Sequence, residues 1–465
     1  MTWPALYNRY PVLYPDSMSY LAGGRLVARA IFFHKFSLVY GGRSLIYSLG
    51  ILPAHWNVTP WPVVALNASL TAYLIWLVVR SILPRRKVIG YFALLVPLSL
   101  FTSLSWFVSL IMPDILGPVL YLSIYLLVFA RETLSRREHL ALVLIAWWAV
   151  ASHATHLILA SGLCVLLVSV LVLQRQPVRR WLGSITTVVL IISLAAAAQI
   201  ALHKYLYGHA SLNGKRPPFL MARVIVDGPG RWYLQQRCGE VKLTICDHVH
   251  EIRDDISTDD FLWGIWQSAS PATQEQLRAE ETPFVLSTLR AYSRAELAIA
   301  AGNFWEQLTT FALWGYGPDP SILEGFDRAL PGARSRYLQT RQARGTLPGE
   351  FSSIAQNWIV ITALVLIGAL ATFRWRLLSP RLVGLTVTIV SITVANAFVT
   401  GVFSNVEDRY QSRVIWLLPL LAGLFALEWL VYRHDRGLAF SPSLTGPSVE
   451  KGSKPTGGSN HRSLG

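Results

Sequence analysis

The sequence has 465 residues, of which 53% are hydrophobic and only 14% are charged, and its formal net charge is +15. Soluble domains carry about a quarter charged residues, so this composition excludes an ordinary soluble enzyme and predicts an all-α polytopic membrane protein. The basic residues lie between apolar runs, where they anchor to anionic headgroups, and no nucleic-acid-binding motif accompanies them. We therefore expect membrane lipids, and no nucleic acid, among the partners.

The first region, residues 1–60, contains Arg9, Arg25, Arg29, Lys35 and Arg43 but no clean apolar run. We predict an outer-face loop whose amphipathic helices lie in the membrane interface. One more transmembrane helix upstream of this sequence would also explain how the region reaches the outer face. The two explanations are compatible.

Apolar runs long enough to approach a membrane span predict about nine transmembrane helices. Six fall in a bundle at 61–203 and three in a second bundle at 357–432. The runs are 61–79, 88–107, 115–130, 140–153, 155–173, 182–203, 357–373, 382–402 and 413–432. The segment 140–173 is read as two helices that meet near Ser152 and His153.

Basic clusters in the connecting segments predict the orientation. They are Arg80, Arg85, Arg86 and Lys87; Arg131, Arg136 and Arg137; Arg175, Arg179 and Arg180; Arg374, Arg376 and Arg381; and Arg433 and Arg436. With two helices in 140–173, all of them fall on one side, which the positive-inside rule makes cytoplasmic. The tail at 433–465 is then cytoplasmic, and its Gly, Ser and Pro content predicts disorder. We expect a bacterial inner or plasma membrane.

The block at 204–356 falls on the outer side, and its many Trp, Leu and Phe residues predict a folded, largely helical extracytoplasmic domain. Cys238 and Cys246 lie close together in it and are expected to form a disulfide on this oxidising face; two free thiols are the alternative. Ser270 followed by Pro271 is typical of a helix start and predicts a helix to about residue 300. Aromatic residues of the block either stack on sugar rings or pack in its core.

Acidic residues are scarce outside the block, and four of them fall on the outer face: Asp16, Asp114, Glu407 and Asp408. Each has a simple alternative role at a helix N-terminus, where a carboxylate satisfies free N–H groups. Together with arginines at the same membrane level, these acids suggest a catalytic site. A carboxylate can act as general base on a hydroxyl, and guanidinium groups can hold a phosphate and stabilise it as a leaving group.

The motif Tyr-Pro-Asp-Ser-x-x-Tyr at 14–20 resembles the first outer loop of the GT-C superfamily of integral membrane glycosyltransferases. Gly42-Arg43-Ser44-Leu45-Ile46-Tyr47 resembles the Arg-x-Pro-x-Tyr element of that loop, and Met112-Pro113-Asp114 is similar to the second outer-loop Asp. Asp408-Arg409-Tyr410, with Arg413 and Pro419, resembles the start of a late helix. The likeness covers the membrane part, about two-thirds of the chain.

This resemblance implies an inverting transfer of a sugar from a polyprenyl-phosphate donor to an acceptor hydroxyl on the extracytoplasmic face. A lipid-linked donor fits that face because nucleotide sugars are not expected outside the cytoplasm. Asp16 is the expected base, against a helix-capping role. Arg409 and Arg413 are expected to hold the donor phosphate, against a role as interfacial anchors, and Asp114, Arg43 and Tyr410 complete the substrate-binding set.

His153 and His156 are three residues apart at the outer membrane level, and they are candidates for orienting the acceptor or the phosphate. A satisfied role in the protein core is the alternative for both. Position 17 is Ser where many members of the superfamily have a second acid. Because hard cations prefer several carboxylate oxygens, no metal site is assigned, no cofactor is certain, and a divalent cation stays open.

Two other functional classes compete with the transferase. A transporter or flippase of a lipid-linked glycan tends to have repeats and helices broken at the membrane midplane. A non-catalytic membrane assembly protein would bind a partner through its outer block, and Asp16 would then be dispensable. The expected partners of the transferase are a lipid-linked sugar donor and a lipid or glycan acceptor.

Overall fold

The computed structural model describes residues 1–36, 43–173, 175, 177–212, 214–313, 315–374 and 378–439, with the side chains of 180, 371, 373, 374 and 434–439 left aside. Gly42, Trp314, Arg376 and the Gly/Ser/Pro-rich tail lie outside the described residues. Within them the fold is all-helical, as predicted, and contains no β-strand. Extended residues Val12 and Leu110 form an isolated parallel bridge.

Nineteen α-helices are described, α1 to α19 in chain order. They are α1 Trp3–Asn8, α2 Pro15–Phe33, α3 Leu45–His55, α4 Trp61–Ile82, α5 Lys87–Phe101, α6 Leu104–Ser109, α7 Leu116–Phe129, α8 Arg136–Ala151, α9 Ala154–Leu173, α10 Val178–Tyr207, α11 Phe219–Val226, α12 Pro229–Arg237, α13 Pro271–Thr309, α14 Pro320–Ala329, α15 Arg334–Leu338, α16 Gly349–Arg374, α17 Pro380–Phe403, α18 Asp408–Ile415 and α19 Leu417–Ala439. A short 3₁₀ helix at Pro113–Ile115 and a π-helix at Asp260–Trp266 also matter below.

Among the described residues, six helical segments are long and apolar enough to cross a membrane. They are Trp61–Ile82, Ala154–Leu173, Trp181–Tyr207, Gly349–Leu370, Pro380–Phe403 and Asp408–Arg433. The chain is therefore a helical protein of membrane-embedded character, as the composition indicates. Nine spans are not confirmed, because the described helices α5, α7 and α8 have only 15, 14 and 16 residues.

The predicted run 88–107 is two helices rather than one. α5 ends at Phe101, and the chain turns at Thr102 and Ser103 before α6 begins. The Thr102 hydroxyl donates back to the Leu98 carbonyl, and the Ser103 amide donates to Gln356 Oε1 at 2.6 Å. A polar side chain from a distant helix thus accepts the hydrogen bond of the amide in the turn. The apolar run alone therefore does not indicate that the helix breaks there.

The segment 140–173 is divided as predicted. α8 ends at Ala151 and α9 begins at Ala154, with Ser152 and His153 between them. The Ser152 hydroxyl donates to the Trp148 carbonyl at 2.6 Å. This break brings His153 to the ends of two helices, where it faces other polar groups.

Several of the basic connecting segments meet at one end of the bundle. Arg80 forms an ion pair with Glu138 at 2.7 Å, and Arg381 forms one with Glu132 at 2.7 Å. Arg381 also donates to the Ser81 carbonyl. The shared end agrees with the shared side that the charge pattern predicts, while its cytoplasmic orientation stays a prediction. α19 continues to Ala439, past the predicted start of the tail at 433, since the Ser- and Pro-rich segment begins only at 441.

The first 60 residues contain helices, as predicted, and these pack on the rest of the protein. α2 lies against α3 so closely that a Cβ on Gly24 would be 2.3 Å from the Ser48 carbonyl oxygen. On its other side α2 contacts α14, where a Cβ on Gly325 would meet Met18. α2 is therefore held between α3 and α14 of the block at 204–356.

The block has a small hydrophobic core of its own, formed by residues of α11, α12, the π-helix and α13. Cys238 and Cys246 form the predicted disulfide, with Cα atoms 5.4 Å apart. Ser270 caps α13 as predicted, accepting from the Thr273 amide at 3.2 Å, and the helix runs to Thr309 with a kink at Tyr292. α13 packs against α17, which connects the block to the second bundle.

Candidate functional site

The site begins with an ion pair between Asp16 and Arg43, whose guanidinium Nη2 donates to the Asp16 carboxylate. Asp16 lies in the first turn of α2, yet the cap of that helix is formed by other groups. The Ser17 hydroxyl accepts from the Tyr14 amide at 2.8 Å. Because Ser17 serves the helix start, the Asp16 side chain is directed to Arg43 instead. Both side chains keep about a fifth of their surface exposed, at 17% and 23%.

A second charged group surrounds Asp114, whose side chain is 5% exposed. Its Oδ1 lies 3.6 Å from Arg413 Nη1, and its Oδ2 lies 3.7 Å from Arg409 Nη1. The 3₁₀ turn Pro113–Ile115 carries the carboxylate to the start of α7, so it also benefits from that helix's dipole. One buried carboxylate between two guanidinium groups leaves a net positive charge.

Arg413 is held rigidly by a polar group inside α17. Its Nε and Nη2 atoms donate to Asn396 Oδ1 at 3.3 and 2.8 Å, and the Asn396 amide donates to the Tyr410 carbonyl and to Gln411 Oε1. Arg413 is 1% exposed. An amide within an apolar helix is costly unless satisfied, so this network fixes both α18 and its arginine.

Tyr14 and Tyr20 connect the two charged groups. The Arg409 guanidinium lies 4.2 Å from the centre of the Tyr14 ring, one residue before α2. Burial raises the pKa of Tyr14 to about 12, and Arg409 opposes that rise. Burial also raises the pKa of Tyr20, on which the charges of Arg43, Asp16, Asp114 and Arg409 all act. The predicted carboxylates and arginines therefore share one site.

Other predicted residues have more particular roles. The Tyr410 ring lies near both arginines, 5.2 Å from Arg409 and 5.6 Å from Arg413, measured from guanidinium carbon to ring centre. Asp408 accepts from the Ala312 amide at 2.5 Å, so it ties α18 to the end of the outer block. Burial raises the pKa of Glu407, which lies beside Arg409 and bonds to Asn405. Asp408 and Glu407 thus position the start of α18.

The two histidines lie together at the break between α8 and α9, with ring centres 5.3 Å apart. His156 Nδ1 bonds to the Ala149 carbonyl at 2.8 Å. Burial lowers the pKa of His153 well below its usual range, and His156 and the charges of Arg413, Arg409 and Arg43 lower it further. His153 therefore faces the arginines as a neutral ring. His156 is half satisfied, since its Nε2 is buried without a partner.

Several buried polar atoms near these groups have no partner among the described residues. They are Arg409 Nε, Tyr47 Oη, Tyr121 Oη and His156 Nε2. Tyr47 packs edge-on against Tyr20, and the last two atoms each lie close to Gly117. Unsatisfied buried groups are rare in proteins. Arg409 Nε and the two tyrosine hydroxyls can donate hydrogen bonds, whereas His156 Nε2 is an acceptor because Nδ1 of the same ring donates to the Ala149 carbonyl. Together with the net positive charge, the three donors suit a ligand with several acceptor oxygens.

Some members of the site had no role predicted from the sequence, although Tyr20 and Tyr47 are the last residues of two of the quoted motifs. Tyr20, Tyr47 and Trp263 contribute ring surfaces, but aromatic residues of the same kind also fill the core. Asn396 could have been found, because a lone amide in an apolar run is unusual. Trp263 belongs to the outer block and lies with its ring 5.4 Å from the Arg43 guanidinium carbon.

A separate cavity of about 340 Å³ lies toward the far ends of α4 and α19, lined by Arg85, Glu428 and Trp429 among others, and it contains none of the predicted site residues. Among the described residues, no group of three or more His, Cys, Asp or Glu side chains could hold a metal ion. In comparisons with known proteins, no family model, curated protein or solved structure matches this chain.

Proposed function

We propose that this protein is a membrane glycosyltransferase that moves a sugar from a polyprenyl-phosphate donor to an acceptor hydroxyl on the extracytoplasmic face. The observation that supports the proposal most is the meeting of Asp16 with Arg43 beside the Asp114–Arg409–Arg413 group. A base and an anion-binding group are the two parts that such a transfer needs.

In the proposed reaction Asp16 takes the proton of the acceptor hydroxyl. The acceptor oxygen then forms a bond to the anomeric carbon, and the bond from that carbon to the phosphate oxygen breaks with its electron pair. The leaving group is the polyprenyl monophosphate. Its developing charge is stabilised by preorganised donors, which cost no reorganisation during the reaction. Attack opposite the leaving group inverts the anomeric centre.

Arg409 is the best candidate for direct phosphate contact. Its Nε is buried with no partner in the described part of the chain, and its Nη1 is 3.7 Å from Asp114, a distance that leaves donor capacity. Arg413 already donates a hydrogen bond to Asn396, so it contributes mainly its positive charge to the site. His153, neutral beside these arginines, is suited to a hydrogen bond with a sugar hydroxyl or a phosphate oxygen.

The test uses purified protein in nanodiscs and a polyprenyl phosphate that carries a radiolabelled hexose or pentose. Release of polyprenyl monophosphate is measured for the wild type and for Asp16→Asn. Loss of a general base lowers rates by about 100- to 10,000-fold, while donor binding should persist. Asp327→Asn, an exposed acid of α14, is the control and should keep wild-type activity. Full activity of Asp16→Asn would overturn the assignment of the base.

A second arm measures binding of the sugar-free polyprenyl monophosphate. We expect Arg409→Lys to weaken it, because lysine keeps the charge but lacks the planar fork of donors. Arg341 provides the control, since its guanidinium also lies 4.2 Å from a tyrosine ring, that of Tyr7, but makes no contact with the site. Transport of an intact lipid-linked glycan, without bond cleavage, would favour the flippase instead.

A further inference from the structure

The feature that extends the proposed function is the π-helix Asp260–Trp266 of the outer block. π-helical turns are rare and occur frequently at functional sites. Phe261, Leu262 and Trp266 point into the core of the block and are at most 7% exposed. Trp263 faces the other way and keeps 37% of its surface exposed. The π-helix therefore presents one aromatic ring outside the core to which its neighbours belong.

Two contacts fix the orientation of the Trp263 ring. Its indole Nε1 donates to Asp259 Oδ1 at 3.0 Å. The Arg43 guanidinium lies over the ring, 5.4 Å from its centre, in a cation–π arrangement. Arg43 in turn bonds to Asp16. The chain of contacts from Trp263 through Arg43 to Asp16 connects an exposed indole to the proposed base.

The polar groups around this ring suit a polyhydroxylated ligand. Asp259 uses Oδ1 for the indole and keeps Oδ2 for a hydroxyl donor. Burial raises the pKa of Glu407 and Arg409 opposes the rise, while Asp259 is close enough for its negative charge to add to it. A flat aromatic face flanked by carboxylate acceptors binds the apolar face of a sugar ring and its hydroxyls at the same time.

We propose that Trp263 and Asp259 form the acceptor subsite and that the acceptor is a saccharide, whose ring stacks on the indole while one hydroxyl reaches Asp16. This inference rests on the proposed function and makes it more specific, because it selects a glycan acceptor over a lipid or protein hydroxyl. It also gives the outer block a direct role in the reaction.

The test compares Trp263→Ala and Trp263→Phe with Trp232→Ala. Trp232 is the matched control, since it lies in the same block, is 39% exposed and packs edge-on against Tyr292, away from the site. Each variant is assayed in nanodiscs for two reactions of the labelled polyprenyl-phosphate sugar. One is transfer to neutral oligosaccharides of glucose, mannose, galactose or arabinose, and the other is hydrolysis by water without an oligosaccharide.

We expect Trp263→Ala to raise the oligosaccharide KM by about tenfold, the effect of a lost aromatic stacking contact, and to lower hydrolysis by a clearly smaller factor than transfer. Trp263→Phe should restore most of the affinity, and Trp232→Ala should match wild type. An equal loss of hydrolysis and transfer in Trp263→Ala would overturn the subsite, because the residue would then only support Arg43 and Asp16.

Failure of the subsite and failure of the proposed function give different results. If the wild type turns over the donor but Trp263→Ala has the same oligosaccharide KM as Trp232→Ala, the subsite assignment is wrong and the transferase proposal stands. Binding of the same oligosaccharides, measured by saturation-transfer NMR, needs no turnover. Binding that is lost in Trp263→Ala supports the subsite even without an active donor, and absence of binding to wild type overturns it.

Discussion

Arg413 Nη1 lies 3.6 Å from Asp114 Oδ1, although one residue belongs to α18 and the other precedes α7. Both side chains are almost completely buried, at 2% and 5% exposed. Arg409 approaches the other oxygen of the same carboxylate. Asp114 is thus the anion that makes two buried guanidinium groups tolerable in this part of the protein.

We predict that Asp114→Asn destabilises the protein by about 3–5 kcal/mol, the usual cost of removing one partner from a buried ion pair. Thermal unfolding in nanodiscs measures the change. Inorganic phosphate should raise the melting temperature of this variant more than that of the wild type, because an added anion replaces the lost charge. Asp327→Asn is the control, and equal melting of Asp114→Asn and wild type would contradict the prediction.

A second prediction concerns Glu296 of α13, which is 6% exposed and has a carboxylate oxygen with no hydrogen-bond partner among the described residues. Burial raises its pKa from the usual 4.5 to about 7; the charge of Asp227 adds to the rise and Arg223 opposes it. The folded protein therefore binds this proton more tightly than the unfolded chain. Stability should fall as pH rises from about 4.5 to 7 and stay low above that.

Glu296→Gln removes the ionisable group and should be more stable than wild type at pH 8, by at most about 3 kcal/mol. Near pH 5 the two proteins should melt alike. Melting curves between pH 5 and 8 measure this, and Glu306→Gln, an exposed acid of the same helix, should show no such difference. A pH-independent gap between Glu296→Gln and wild type would argue against a buried, protonated carboxyl.

The disulfide gives a third prediction. Cys238 and Cys246 are separated by eight positions, and closing so short a loop stabilises a fold by about 2–3 kcal/mol in the chain-entropy account. The double change Cys238→Ser and Cys246→Ser should make the outer block more sensitive to protease, as should a reductant in the wild type. Cys164→Ala, at a buried free thiol in α9, should leave that sensitivity unchanged. Equal cleavage of the wild type, the double Ser variant and Cys164→Ala would contradict the prediction.

The orientation of the chain is tested by reporter fusions. A reporter at Lys87 and one at Gly239 should lie on opposite sides of the membrane, and one at Arg137 should match Lys87. This follows from the positive-inside rule and from the contact of the segments near Arg80 and Glu138 at one end of the bundle. Signals from the same side at Lys87 and Gly239 would break the predicted topology.

Much of the fold could be predicted because long apolar runs have few alternatives to a helix. α4, α9, α10, α16 and α17 follow from such runs directly. The break at Thr102 and Ser103 could not be predicted, since its amide is satisfied by Gln356 from another helix. Local sequence carries no information on a partner so distant.

The charged part of the candidate site could be predicted for a similar reason. Acids are so scarce outside the outer block that Asp16 and Asp114 had few competitors, and the structure brings both together with arginines. The place of Trp263 in the site could not be predicted, because aromatic residues serve equally well in a core, and Tyr20 was named only as the last residue of a motif. Only the direction of a ring decides between these uses, and that depends on packing.

The separation in sequence between Asp114 and its two arginine partners has a consequence for biosynthesis. Asp114 is translated before the block at 204–356, whereas Arg409 and Arg413 are translated after it. The charged group around Asp114 can therefore assemble only once α18 has been made. A chain truncated before α18 would carry this carboxylate without its guanidinium partners.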